Sequence, residues 1–178
     1  MNRRFRHRFH LGTREGGGST IEFAFILPIL LTIILGMIDL SFLLSNQINL
    51  THICREAAGA LSRGSSFNET FAAILTADEA LDLDGGDGRI ILTEIRDDGS
   101  GHPMITRQET RGGLSEGSQF GTLPGGQDEA PATIPNGMSL PAGMSLWGVE
   151  LFSKYEHLGG TFVFEELDNT VLKARAAF

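Results

Sequence analysis

The sequence predicts an α+β protein: a long N-terminal transmembrane helix continuing into a small external domain with a short helix and an antiparallel sheet. Three observations carry that expectation. Phe23 to Ile38 reads FAFILPILLTIILGMI, sixteen residues without a charge and with Thr32 as the one polar side chain. The charge changes sign around that run. Downstream, short apolar stretches alternate with Gly, Asp and Pro turns, and Gly, at 23 of 178 residues, is well above the ~7% of average usage. At roughly 100–200 residues per domain the length allows one domain with an appendage.

The basic leader comes first. Residues 1–17 hold Arg3, Arg4, Arg6, Arg8 and Arg14 with Glu15 as the single acid, leaving nine basic and 21 acidic residues in the remainder. An acidic body argues against a nucleic-acid partner, whose footprint would be a basic face. One cysteine excludes an internal disulfide framework and Cys-based zinc clusters.

The apolar run resumes after Asp39 as LSFLLS, so Phe23 to Leu44 supplies the roughly 20 helical residues that a bilayer core requires. Asp39 then falls near the far end, where a carboxylate can reach interfacial water; at mid-membrane it would cost about 2.5–3.5 kcal/mol. Pro28 removes one backbone donor and should kink the helix, which membrane helices tolerate. The rest of the chain is too small and polar to wrap a core helix of this kind. A cleaved signal peptide would need a small-x-small site, which residues 39–44 lack. The positive-inside rule places the arginine-rich end in the cytoplasm and residues 46–178 outside.

Between leader and helix stands Gly16-Gly17-Gly18-Ser19-Thr20-Ile21-Glu22-Phe23. A Gly run beside the membrane is a plausible protease substrate, because extended backbone enters an active site. Cleavage between Gly17 and Gly18 would make Glu22 the fifth residue of the mature chain. It would also expose a Gly18 amine, mostly cationic at neutral pH from its ordinary pKa of about 7.7–8.0. In a bundle of helices that amine and a neighbouring molecule's Glu22 could neutralise each other and set the axial register.

These residues resemble the type IV prepilin junction in its short Tad/Flp form, and the continuation through Arg55-Glu56-Ala57-Ala58 is similar to the TadE-like pseudopilin family. Glu22-Phe23 occupies the place of that family's glutamate and aromatic, and Asp39 that of its second acidic residue. VELFSKYEHL and LKARAAF are similar to its closing pattern, with His157 where a proline is expected. Residues 15–64 carry most of the resemblance. It implies cleavage by a membrane aspartyl prepilin peptidase, and a minor pseudopilin role in a tight-adherence pilus or secretion machinery of the bacterial inner membrane. The implied partners are other pilins and pseudopilins of the Tad system, the inner-membrane assembly platform and the lipid bilayer, with no cofactor. The implied layout is 1–17 leader, 18–64 transmembrane and extended helix, and 65–178 external, periplasmic domain.

Residues 46–64 should extend the helix outward, with Leu50, Cys54, Ala57 and Leu61 as one apolar stripe and Gly64 as its stop. Cys54 on that stripe reads as a buried small group, or alternatively as an intermolecular disulfide in an oxidising periplasm. His52 lies off the stripe. Residues 68–81 should form a second helix capped by Asn68. Asp82, Asp84, Asp87 and Glu94 are similar to a calcium loop, yet one extra residue separates Asp84 from Asp87, and a β-like run follows. An Asp/Gly turn feeding a strand from Arg89 to Arg96 is the expected outcome, with no metal.

Asp97 to Gly101 should turn the chain into a returning strand, Pro103 to Thr110. Residues 112–146, rich in Gly, Pro and Ser, read as a long surface loop containing the near-duplicates PNGMSL and PAGMSL. Leu146–Leu158, Thr161–Phe164 and Asn169–Phe178 complete the expected sheet. No catalytic constellation emerges: the serines lack a nucleophile-elbow context and the five histidines are scattered. The competing assignment is a permanently anchored single-pass envelope protein whose external domain binds a ligand or partner.

Overall fold

The computed structural model describes residues 16–77, 81–134, 140–157 and 170–178. The chain divides into two compact units after Ile38, each taken by itself here. Helix α1, Gly16–Ser62, contributes to both.

In the first unit α1 exposes apolar side chains on every side, with Glu22 and Thr32 the exposed polar ones among the described residues. Ile21, Phe23, Phe25, Leu31 and Met37 are all exposed, Phe25 by 73%. In water that surface would be strongly unfavourable, whereas in lipid each such residue near the centre contributes about −0.3 to −0.6 kcal/mol. The helix is long and apolar enough to cross a membrane, and none of its most apolar window is buried. That exposure separates it from the core helix of a soluble protein. The helical assignment continues through Pro28. Thr32, whose hydroxyl would otherwise face hydrocarbon unpaired, donates to the Pro28 carbonyl at 2.9 Å.

The second unit, from Asp39 on, is α+β. Its sheet has the order β3-β2-β1-β4-β5, with β1 Gly88–Asp97, β2 Pro103–Arg111, β3 Ala130–Pro131, β4 Ser145–Lys154 and β5 Val171–Ala177. Every pairing is antiparallel. Alternation sorts the strands into two faces. Ile90 and Leu92, Val149 and Leu151, and Leu172, Ala174 and Ala176 face the helices. Against them α1 lays Leu50, Cys54, Ala57, Ala58 and Leu61, which are the expected stripe with Ala58 added.

Helix α2, Phe67–Ala77, covers the β2 side, where Arg107 and Arg111 each lie 4.3 Å above the Phe67 and Phe71 rings. Its cap differs from expectation. Ser66, not Asn68, receives the Glu69 N–H at 3.3 Å, while the Glu69 carboxylate accepts from the Ser66 N–H at 2.9 Å. That reciprocal pair is a capping box, and the Ser66 N–H holds the Glu69 carboxyl below its usual range. The described helix ends at Ala77, and Leu81 is already outside it.

The opposite sheet face is covered by chain rather than by a helix. Phe120, fully buried, packs with Ile95 and Ile105, and its ring sits so near β4 that a Cβ at Gly148 would come within 2.6 Å of it. The stretch expected as a plain surface loop is thus a fitted cover, pinned by side chains. The Gln108 amide donates to the Gly121 carbonyl and accepts from the Leu123 N–H, both at 3.1 Å. The Glu150 carboxylate accepts from Ser118 Oγ and the Gln119 N–H. Burial pushes that carboxyl above its ordinary range, with Ser118 and Gln119 pulling partly back. The near-duplicate PNGMSL and the expected Thr161–Phe164 strand fall wholly or mainly outside the described residues. β4 ends at Lys154, short of the expected Leu158, although the Tyr155 N–H still pairs with the Thr170 carbonyl at 2.9 Å.

Candidate assembly helix and its membrane-exit clasp

The residues expected to carry function fall into two groups, one in each unit. The first lies at the start of α1. Gly17 and Gly18 are helical, in the first turn after Gly16. Each glycine weakens a helix by roughly 1 kcal/mol relative to alanine, and a first turn lacks half of its hydrogen bonds. Unwinding this terminus into a protease cleft is therefore inexpensive. Glu22 is exposed between Ile21 and Phe23, themselves 61% and 59% exposed. No described residue makes an ion pair with it. A carboxylate so placed among lipid-facing side chains calls for a cation from outside its own helix.

The second group gathers where the apolar run ends. Asp39 is only 7% exposed. Its carboxylate is taken up by protein rather than by interfacial water. The Tyr155 hydroxyl lies 2.9 Å from one carboxylate oxygen and 3.0 Å from the Asp39 main-chain carbonyl. His157 Nδ1 lies 2.6 Å from the other oxygen. The two rings meet edge to face at 4.8 Å, which fixes both against the helix. Burial, then the hydrogen bond and charge of Asp39, push the Tyr155 hydroxyl up to about 12, so it remains a donor at every physiological pH. Sequence spacing gave no hint of this clasp, since its members are 116 and 118 residues apart.

The calcium alternative finds no assembled ligand set. Among the described residues no group of three or more His, Cys, Asp or Glu side chains could hold a metal. Glu94 lies within β1, its carboxylate engaged by Arg96 at 2.6 Å. Asp82 takes a left-handed backbone (φ 45) in the turn that Gly85 closes onto it and that contains Asp84, while Asp87 belongs to the following turn into β1. Cys54 is fully buried with its sulfur 3.2 Å from the Val149 carbonyl. Burial pushes its thiol up to about 12, so an intermolecular bond would require α1 to leave the sheet. His52, off the stripe, is exposed.

Compared with known proteins, residues 17–59 match the family model of the TadE-like protein. That segment contains both the Gly junction with Glu22 and the Asp39 end of the apolar run. No curated protein and no solved structure gives a match.

Proposed function

We propose, from the premise that residues 17–59 place this chain in the TadE-like protein family, that it is a minor pseudopilin of a tight-adherence pilus or secretion assembly. A prepilin peptidase removes the basic leader between Gly17 and Gly18 on the cytoplasmic side of the inner membrane. The trimmed helix, still in the bilayer, then docks laterally on other pilins and pseudopilins at the assembly platform. The domain from Asp39 on faces the periplasm, since five leader arginines hold the other end in the cytoplasm.

One observation carries the reading: an exposed glutamate, Glu22, at the start of a helical stretch, residues 21–38, whose other exposed side chains are apolar apart from Thr32. Lipid does not satisfy a lone carboxylate. A neighbouring subunit's new N-terminal amine does, and the pair holds only at one axial offset. The Asp39 carboxylate suits the same use differently, being hydrogen-bonded within its own chain by Tyr155 and His157 and so leaving Glu22 as the carboxylate that seeks a partner.

Substituting Glu22→Ala in cells that assemble the machinery tests this. Membrane insertion is expected to stay at the wild-type level, because removing a charge does not hinder it, while recovery of the protein in assembled pilus or secretion fractions falls about tenfold or more. Wild-type recovery of the alanine variant would contradict the charge-pair docking.

A further inference from the structure

A groove of about 430 Å³ runs between α1 and α2. Its walls are Ile53, Ala57 and Ala60 on α1, and Ala73, Ile74 and Ala77 on α2. These are mostly small side chains, which allow another backbone to approach closely. Arg55, Glu56 and Arg63 stand at its rim, two cations to one carboxylate. The Arg63 guanidinium lies back along the helix beside Gly59, where a Cβ would be 3.2 Å from it.

The rim arginines differ from most other cations of this domain; Lys154, half-buried at the end of β4, likewise has no ion pair or side-chain hydrogen bond among the described residues. Arg89 donates to the Leu114 carbonyl, Arg96 to Glu94, Arg107 to Glu109, Lys173 to Glu116 and Arg175 to Gln119, and Arg111 covers a phenylalanine ring. Arg55 and Arg63 are exposed and have no ion pair or side-chain hydrogen bond among the described residues. Two guanidinium groups without ion pairs among the described residues therefore border a recess between the two helices, beside the single carboxylate of Glu56, on a chain whose body is strongly acidic. Eight residues of helix separate them by about 12 Å along the axis.

We infer that the α1–α2 groove receives an acidic helix of a different pilin-type subunit, its small apolar face on the alanine floor and its carboxylates on Arg55 and Arg63. The inference rests on the pseudopilin reading for the kind of partner, and it adds a periplasmic contact to the docking within the membrane. A second copy of this chain is a poor occupant, because its excess of acid would repel this one everywhere beyond the groove.

The test uses the full chain in detergent micelles and a labelled helical peptide of alanine and leucine carrying two glutamates about 12 Å apart, beside its glutamine twin. Fluorescence anisotropy is expected to show the glutamate peptide binding, with affinity about tenfold or more lower for the glutamine twin and for R55E/R63E. R55K/R63K should retain binding. Unchanged circular dichroism confirms that the exposed substitutions leave the fold intact. Equal binding of both peptides, or indifference to R55E/R63E, overturns the inference. In cells, a photocrosslinker replacing Ala73 should form an adduct that maps to an acidic helical segment of another subunit and disappears in R55E/R63E. An adduct with a second copy, or none in assembling cells, overturns it too. The N-terminus of the same protein separates the two readings. Trimming at Gly18 with no groove contact removes only this inference, whereas peptide binding by a chain whose leader stays on removes only the pseudopilin reading.

Discussion

At Asp39 a carboxylate interrupts the apolar run of α1, and the fold tolerates it by enclosing it. Tyr155 and His157 supply the hydrogen bonds, so the charge is neither in hydrocarbon nor in bulk water. Removing one member of a buried pair strands the others. Asp39→Ala should therefore lower the unfolding free energy of the protein in detergent by about 3 kcal/mol, read from denaturant melts that follow Trp147 fluorescence. Asp39→Asn, which keeps an acceptor for the tyrosine, should lose less. A melt unchanged by the alanine substitution would remove the clasp's role in stability. Residue chemistry alone placed an acid at this edge, but the partners that enclose it come from the far end of the chain, beyond the reach of any local pattern.

Among the elements, those with a strong period were legible. The stripe Leu50, Cys54, Ala57 and Leu61 is buried throughout, and the β1–β2 hairpin turns where Asp97 to Gly101 suggested, Asp97 pairing with Pro103. The α2 cap was legible too, through Ser66-x-x-Glu69, a capping-box spacing that Asn68 obscured. The cover on the second sheet face was not, because its order comes from Gln108 and Glu150 reaching it from other strands rather than from any periodicity of its own. Gly148→Ala tests that cover. The new methyl would collide with the Phe120 ring, and such overpacking costs about 1–3 kcal/mol. Limited proteolysis should then cut residues 112–134 faster than in the wild type. Equal cleavage would mean that the cover does not depend on this contact.

For the whole molecule, one continuous helix carries two kinds of surface. Up to Ile38 its exposed side chains are apolar apart from Glu22 and Thr32 among those described, and from Leu50 onward one apolar stripe has a sheet packed against it. The sequence reported this division in part, since Asp39 interrupts the apolar run at the boundary between the two units, although the run resumes to Leu44. The TadE-like match spans that same stretch. Function in this account begins when the leader is removed and the helix acquires a cationic end near Glu22. Intact-mass measurement of the membrane-extracted protein, from cells with and without an active prepilin peptidase, tests this most directly. The account predicts a chain beginning at Gly18 when the peptidase is active and one that retains the arginine-rich leader when it is not; assembled, working protein that still carries Met1 to Gly17 would contradict it.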